Sequence, residues 1–444
     1  MYTGIESTIA ALLSLEQGPI FLPNSLFYRE KTPALLGYFK LIRIFPLLMD
    51  NNNLTIYLKN KKDTFVRRFH PWIFSGAIKR KEGTAVDGAI AKVYSHQGEF
   101  LAQGHYHEGS IAIKIFSFEE TELNTAFWTN KLQRAFDLRA KVGLTEGERV
   151  SYRLVHGEGD GLPGLIIDVY HQTVVLQAHT IGMHQLRETL VEALRNVLGA
   201  RITGIYDKSK NSLPKNYAQD KENGYLWGTA LEQDVIIENG CQFEVNWQTG
   251  QKTGFFLDQR DNRKLLQRFC AGKRVLNAFC YSGGFSVYAL KAGAASVDSV
   301  DASARAIELV DKNVLLNDLD PNKHQSYKAD VMKFLKEQEA PYDVMVLDPP
   351  AYAKTVAKRH KAVQAYKRLN AEGLKLVSKG GILLTFSCSQ VVDNPLFYHT
   401  ITAAAIEAGR QVRVLHRLTQ PADHPVNIFH PEGNYLKGLV LYVE

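Results

Sequence analysis

At 444 residues the chain is longer than one hydrophobic core usually serves, so two or three domains are expected. Its 45% hydrophobic and 22% charged residues exclude a disordered or membrane-embedded chain. The net charge of +7 suits a polyanionic partner without requiring one.

The first 48 residues carry apolar stretches at 9–15 and 41–48 that are too short to span a bilayer, so no membrane helix is expected. Glu6, Glu16 and Glu30 speak against a transit peptide. Met49 stands just before the first strand-like pattern, and residues 1–48 are read as a poorly ordered leader that the fold does not require.

From Leu54 the pattern is one of short strands, at 54–58, 72–74, 89–94, 100–106 and 111–116, punctuated by glycines. Residues 51–125 are therefore assigned to a small β-domain. Its opening sets Lys59, Lys61, Lys62, Arg67, Arg68, Lys79, Arg80 and Lys81 among Phe65, Phe69, Trp72 and Phe74. Basic groups beside aromatics hold phosphates and stack bases. A solvated edge over a hydrophobic core explains the same charges.

A helix at 126–141 leads into a strand and the glycine-rich loop 157–164, then a hairpin at 165–170 and 173–178, a helix at 183–197, and strands at 202–206 and 224–228. Residues 126–234 are read as a compact α/β insert. Lys208, Lys210 and Lys215 fall in a polar loop read as solvated surface.

Beyond Val235 the apolar runs 273–279, 295–300, 342–347 and 381–386 alternate with helical segments, the pattern of parallel strands with crossover helices. Residues 235–444 are assigned to this domain, and the fold class is α/β. Cys241, Cys270, Cys280 and Cys388 show no C-x-x-C spacing and follow no secretory signal, which points to a reducing, cytoplasmic compartment and to no metal site.

Four strand ends carry chemistry. The run 275–279 turns through Cys280-Tyr281-Ser282-Gly283-Gly284 into a helix, and glycines there let a ligand approach the backbone. About twenty residues on, Asp301 closes the next strand, where an acid holds a ribose diol; capping of the following helix is the alternative. The third strand ends in Asp348-Pro349-Pro350, preceded by Asp330; the prolines stop pairing and fix Asp348 at the mouth of the sheet, unless the segment is an exposed turn. The fourth ends in Ser387-Cys388-Ser389 and brings a thiol to the same rim, where burial as a small hydrophobe is the competing account.

The order of these elements resembles the class I methyltransferases that use S-adenosylmethionine. In finer detail, Phe69-His70-Pro71-Trp72-Ile73-Phe74-Ser75-Gly76, the loop Gly157-Glu158-Gly159-Asp160-Gly161-Leu162-Pro163-Gly164, Lys252-Thr253-Gly254-Phe255-Phe256-Leu257-Asp258-Gln259-Arg260 and Phe386-Ser387-Cys388-Ser389 resemble the bacterial cytosine-C5 methyltransferases of large-subunit ribosomal RNA. The resemblance runs from about Leu54 to the C-terminus. It implies a PUA domain, a small α/β domain and a Rossmann-like catalytic domain in that order. It also implies S-adenosylmethionine against Phe279, Tyr281, Ser282, Gly283, Asp301, Asp330 and Asp348, with Asp348 and Cys388 at the target base.

In such a reaction a thiolate adds at cytosine C6 and makes C5 nucleophilic. Cys388 is the expected nucleophile, activated by its site, and Asp348 the expected partner of the base's Watson–Crick edge; the residues do not single out a base for the C5 proton. The expected RNA contacts are Lys61, Arg67 and Arg68, with stacking near Tyr352 or Phe386, and His424 and Pro425 lining the site or serving only the loop. Asp-Pro-Pro followed by an aromatic suits methylation of an exocyclic amine; Ala351 before Tyr352, with Cys388 present, favours carbon. A noncatalytic ribosome-assembly factor on the same fold is the remaining alternative. Oligomeric state is left open.

Overall fold

Strict alternation in Leu54-Thr55-Ile56-Tyr57-Leu58 buries the leucines and the isoleucine and leaves Thr55 and Tyr57 on the other face, so β1 (Leu54–Leu58) is half-buried. The computed structural model describes residues 54–229 and 231–444, so the expected leader at 1–48 lies outside the described residues. With β2 (Trp72–Phe74), β3 (Ile78–Glu82), β4 (Ile90–Tyr94), β5 (Phe100–Tyr106) and β6 (Ile111–Ser117), β1 builds a six-stranded sheet in the order β2-β6-β5-β4-β1-β3. Leu54, Ile56, Val93, Ile113 and Ile115 form its core. The basic run Lys79-Arg80-Lys81 forms the mostly exposed edge strand β3 on β1, in keeping with a solvated edge over a hydrophobic core. Lysines on an edge discourage pairing with another chain, and Arg80 lies 3.8 Å over the Tyr57 ring.

Helix α1 (Thr125–Lys141) starts where the Asn124 side chain accepts a hydrogen bond from the Phe127 N–H. Strands β7 (Ser151–His156), β8 (Leu165–Tyr170), β9 (Thr173–Ala178), β10 (Gly204–Asp207) and β11 (Gly224–Gly228) form a second sheet in the order β11-β10-β9-β8-β7. The helix expected at 183–197 is two, α2 (Ile181–Gln185) and α3 (Arg187–Leu198), joined at Leu186, whose ψ of 0° interrupts the ladder. Trp128, Leu132, Ile167, Leu176 and Leu194 pack between them.

A hairpin of β12 (Asp234–Glu238) and β13 (Cys241–Val245) follows, a pair the strand pattern had not separated. Asn239 and Gly240 both take positive φ, 49° and 76°, the two-residue turn that Asn-Gly favours.

The last sheet has seven strands: β14 (Arg274–Ala278), β15 (Ser296–Asp301), β16 (His324–Lys328), β17 (Tyr342–Leu347), β18 (Val377–Ser387), β19 (Val412–Leu418) and β20 (Lys437–Val443), in the order β16-β15-β14-β17-β18-β20-β19. All neighbours are parallel except β20, antiparallel to both β18 and β19. Consecutive residues face different cores: Val275, Val344 and Val346 pack with Phe285 and Tyr288, while Leu276, Met345 and Leu347 pack with Phe334, Tyr366 and Ile401. Burial on both faces is why these strands read as unbroken apolar runs. The expected doubly wound α/β domain is present. Between β14 and β17 the strand order reverses, and open α/β sheets bind their ligands at the carboxyl end of such a pair. Among the described residues no helix is long and apolar enough to cross a membrane.

Candidate active site

The loop leaving β14 is held in an unusual shape. Phe279 and Tyr281 take φ of 62° and 44°, and Gly283 takes 71°. Positive φ at bulky residues is strained and persists only where the surroundings impose it. Here the Tyr281 hydroxyl donates to the Gly254 carbonyl at 3.1 Å and accepts from the Gln251 N–H at 3.1 Å. The Asp301 carboxylate accepts from the Tyr281 N–H at 3.1 Å and the Ser303 N–H at 2.9 Å, tying the loop to the end of β15. The cap of the next helix, α4 (Ala304–Leu316), is Ser303, so Asp301 is not the helix cap. Each carboxylate oxygen keeps a second acceptor site. Asp330 caps α5 (Val331–Glu337) by accepting from the Lys333 N–H at 2.9 Å. The Ser282 carbonyl accepts from Asn313 at 2.8 Å.

A side chain at Gly283 has no room: its Cβ would stand 2.0 Å from Val310 Cγ2. Gly283→Ala is expected to cost about 1–3 kcal/mol of strain and to weaken S-adenosylmethionine binding at least about tenfold; isothermal titration calorimetry checks it, and unchanged affinity would remove the loop from the cofactor site. A glycine-bounded loop with an acid at the neighbouring strand end fits a nucleoside cofactor.

Asp348 and Cys388 leave the adjacent parallel strands β17 and β18 at the same rim. Gln259 Nε2 donates to Asp348 Oδ2 at 2.9 Å, and the Gln259 Oε1 is fixed by Asn262 at 2.6 Å. Burial pushes the Asp348 carboxyl up to about 7; the Asp258 charge adds to the shift and the Gln259 bond opposes it. Burial also raises the Cys388 thiol, the Asp348 charge raises it further, and Lys252 and Lys437 pull it down. Asp258 differs. Burial favours its protonated form, but Lys252, His424 and the 2.6 Å bond from the Tyr435 hydroxyl outweigh it and hold the carboxyl below its ordinary range. Cys388 is the only partly exposed cysteine of the four, the other three being buried.

Two segments frame this pair. Arg263 makes two 2.8 Å bonds to Glu238 of β12, and its aliphatic stem fills the space a Cβ on Gly284 would need. Arg260 binds Asp423 at 2.9 Å, and Asp423 also accepts from the Arg153 N–H at 3.0 Å. Gly159 has no room for a Cβ because the Pro425 carbonyl oxygen would be 2.0 Å away. The glycine-rich loop 157–164 is thus the seat on which the segment around Asp423 docks. His424 is 1% exposed, hydrogen-bonded to Asp423 at 2.9 Å and set over the His156 ring at 5.0 Å.

The remaining expected residues fall elsewhere. Lys61 and Arg68 are exposed on the β-domain, and neither forms an ion pair among the described residues. Arg67 is 43% exposed and engaged by Asp63 at 2.7 Å and by Glu99 at 2.5 Å, surface ion pairs of small worth. Tyr352 is partly exposed with its ring 4.7 Å from Tyr366, whereas Phe386 is fully buried against Phe285 and presents no face to a base. Lys208, expected on a solvated loop, is 7% exposed and donates to the Gly250 carbonyl at 2.7 Å. Gln259, Tyr435 and Lys437 were not singled out by sequence; the first lay inside the quoted 252–260 motif, and the only mark of Lys437 is a lysine opening the apolar strand Lys437–Val443.

The model of the S-adenosylmethionine-dependent methyltransferase family matches residues 152–439, and that of the PUA-like domain matches 56–118. A ribosomal RNA large subunit methyltransferase I from Aeromonas hydrophila is 38% identical over 394 residues, covering 87% of this chain and 98% of the relative. The protein of that name from Tolumonas auensis is 39% identical over 394 residues, with the same coverage. A protein described as a SAM-dependent methyltransferase from Streptococcus mutans superposes with a TM-score of 0.75 at 26% identity, over 87% of this chain and 99% of that one. A methyltransferase structure complexed with SAH superposes at 0.76, with the same identity and coverage. S-adenosylmethionine is thus the cofactor, and the chain belongs to the family of S-adenosylmethionine-dependent methyltransferases with a PUA-like domain in which the ribosomal RNA large subunit methyltransferases I stand.

Proposed function

We propose that the chain methylates C5 of a cytidine in large-subunit ribosomal RNA, in the cytoplasm, through a covalent adduct between Cys388 and cytosine C6. The observation that carries this reading is the pairing of a partly exposed thiol with a carboxyl shifted to about 7 on adjacent strand ends at the switch point. The relatives named as large-subunit ribosomal RNA methyltransferases and the PUA-like match support the substrate class. In domain terms, 51–125 binds RNA, 126–234 is the insert that seats the segment around Asp423, and 235–444 is catalytic.

Above about pH 7 the Asp348–Cys388 pair holds one proton. With the proton on Asp348 and the charge on sulfur, Cys388 adds to C6 while Asp348 gives its proton to N3. Phe279, Tyr281, Ser282, Gly283, Asp301 and Asp330 hold S-adenosylmethionine, which supplies an electrophilic methyl group for the C5 made nucleophilic by that addition. Transfer of the C5 proton to a solvent water then expels the Cys388 thiolate, and N3 returns its proton to the Asp348 carboxylate. Gln259 keeps Asp348 oriented throughout. Tyr352 stacks the extruded base.

RNA approaches from the β-domain, where Phe65 and Phe69 are 65% and 50% exposed beside Lys61, Lys62 and Arg68. Phe69 also touches Phe429 at 5.4 Å, so this face is continuous with the segment leading to β20. Replacing Lys61 and Arg68 by alanine is expected to weaken RNA binding and lower the slope of log affinity against log salt by about 2; filter binding from 50 to 200 mM salt measures it, and an unchanged slope would take both residues off the RNA.

The deciding test is methyl transfer from radiolabelled S-adenosylmethionine to unmodified large-subunit ribosomal RNA, followed by nucleoside digestion. Label in 5-methylcytidine supports the reading. Label in a methylated exocyclic amine replaces it with chemistry centred on Asp348 and Tyr352, and RNA binding without transfer replaces it with an assembly role.

A further inference from the structure

A lysine is buried against the thiol loop. Lys437 opens β20 directly opposite Ser387, the last residue of β18, and is 2% exposed. Its ammonium donates to the Ser389 carbonyl at 2.8 Å and to the Tyr435 carbonyl at 2.6 Å. Two of its three hydrogens are thereby placed. Burying a charge is costly unless it is paired, and a lysine serving structure alone is expected to find a carboxylate. Here its hydrogen-bond partners are neutral carbonyls, so the positive charge is solvated but not cancelled. One of them belongs to the residue directly after Cys388.

We propose that Lys437 is a positioning residue that holds a positive charge without an ion-pair partner among the described residues beside Cys388, and so stabilises the thiolate form of the nucleophile. Other charges face the sulfur. Asp348 and Asp258 oppose its ionisation, while Lys252 favours it. Lys252 is 51% exposed and correspondingly screened by solvent, which leaves Lys437 as the buried cation of the group. Lys437 itself feels the thiol and Asp393, and burial pushes its ammonium down to about 8. Its charge is therefore present at pH 7 and lost as pH rises through 8, so ionisation of the thiol becomes harder over the range in which it ordinarily completes. The same two hydrogen bonds fix the backbone on either side: Ser389, whose hydroxyl also meets Tyr366 at 3.0 Å, and Tyr435, which holds Asp258.

The proposal rests on reading Cys388 as the nucleophile, and its test reads the thiol without the reaction. Full-length protein is alkylated with iodoacetamide between pH 6 and 10, and the rate at Cys388 is followed by peptide mass spectrometry. Alkylation tracks the thiolate fraction. Lys437→Gln keeps two N–H donors for the two carbonyls but removes the charge; Lys437→Arg keeps the charge at every pH. K437Q is expected to be alkylated roughly tenfold more slowly than wild type at pH 7, the two rates converging above about pH 9 where Lys437 is itself neutral, while K437R stays within about twofold of wild type at pH 7 and titrates in one step where the wild type is broadened. S-adenosylmethionine binding by calorimetry reports whether each variant retains its site. A K437Q rate at pH 7 equal to that of wild type, or a K437R rate there slower than wild type by about tenfold, overturns the proposal, and the second result decides even if K437Q does not fold. If the alkylation shift is seen but the methylated product is an amine, the pairing of Lys437 with Cys388 stands and the C5 reading falls.

Discussion

Replacing Cys388 by alanine is expected to lower 5-methylcytidine formation by roughly a thousandfold or more, the scale on which loss of a covalent nucleophile acts. Cytosine C5 gains nucleophilicity only once C6 carries the sulfur, so no other group on the rim substitutes for the thiol. The serine variant fares no better, because a hydroxyl is not ionised at the pH at which a thiol is. Binding of S-adenosylmethionine is expected to stay within about threefold, since the loop after β14 is held by Asp301, Gly254 and Gln251 and not by Cys388. Single-turnover methyl transfer with nucleoside analysis, alongside calorimetry, separates the two effects. Transfer that survives in the alanine variant, with label in an amine, would discard the adduct.

What the sequence made legible follows from burial. Strands β14, β17 and β18 are covered on both faces, so their apolar runs are continuous and their ends, Gly283, Asp348 and Cys388, stand out where the runs stop. Strand β3 escaped because an edge strand in the pattern Ile78-Lys79-Arg80-Lys81-Glu82 buries almost nothing. The β12–β13 hairpin carried its signal in Asn239-Gly240, masked by the stronger pattern that follows. Tyr435 and Lys437 were hidden for another reason: their partners, Asp258 and Ser389, are 177 and 48 residues away, and only the antiparallel return of β20 brings them to the site. Phe386 as a stacking face for the base and Lys208 as solvated surface are the two expectations that burial overturns. Phe386 is in the core because β18 runs in the middle of the sheet, and Lys208 is buried because its ammonium caps a backbone carbonyl.

Asp348→Asn is expected to lower methyl transfer by about 10²–10⁴-fold, the usual worth of a positioned proton donor, and to stabilise the protein. The carboxyl's ordinary value is 3.8 and its folded value about 7, so the folded state holds a proton that the unfolded chain has released. Wild-type stability accordingly falls as pH rises from about 4 to about 7 and levels off above, whereas the amide has no such dependence. At pH 8 the gain from the substitution is about 1–2 kcal/mol, below the full linkage value because the carboxyl is partly exposed; urea titrations at pH 4, 6 and 8 measure it, and equal pH dependence in the two proteins would contradict the shift. In activity, the wild-type rate rises with pH through about 7, as the pair drops to a single proton, and that limb disappears in the variant. The thiol gives the sharper discrimination. Removing the Asp348 charge lowers the thiol's pKa, so iodoacetamide attacks Cys388 several times faster at pH 7 even as methyl transfer collapses. A variant with a more reactive nucleophile and a slower reaction is what a proton donor to the ring predicts. A residue that merely activated Cys388 would move the two rates together.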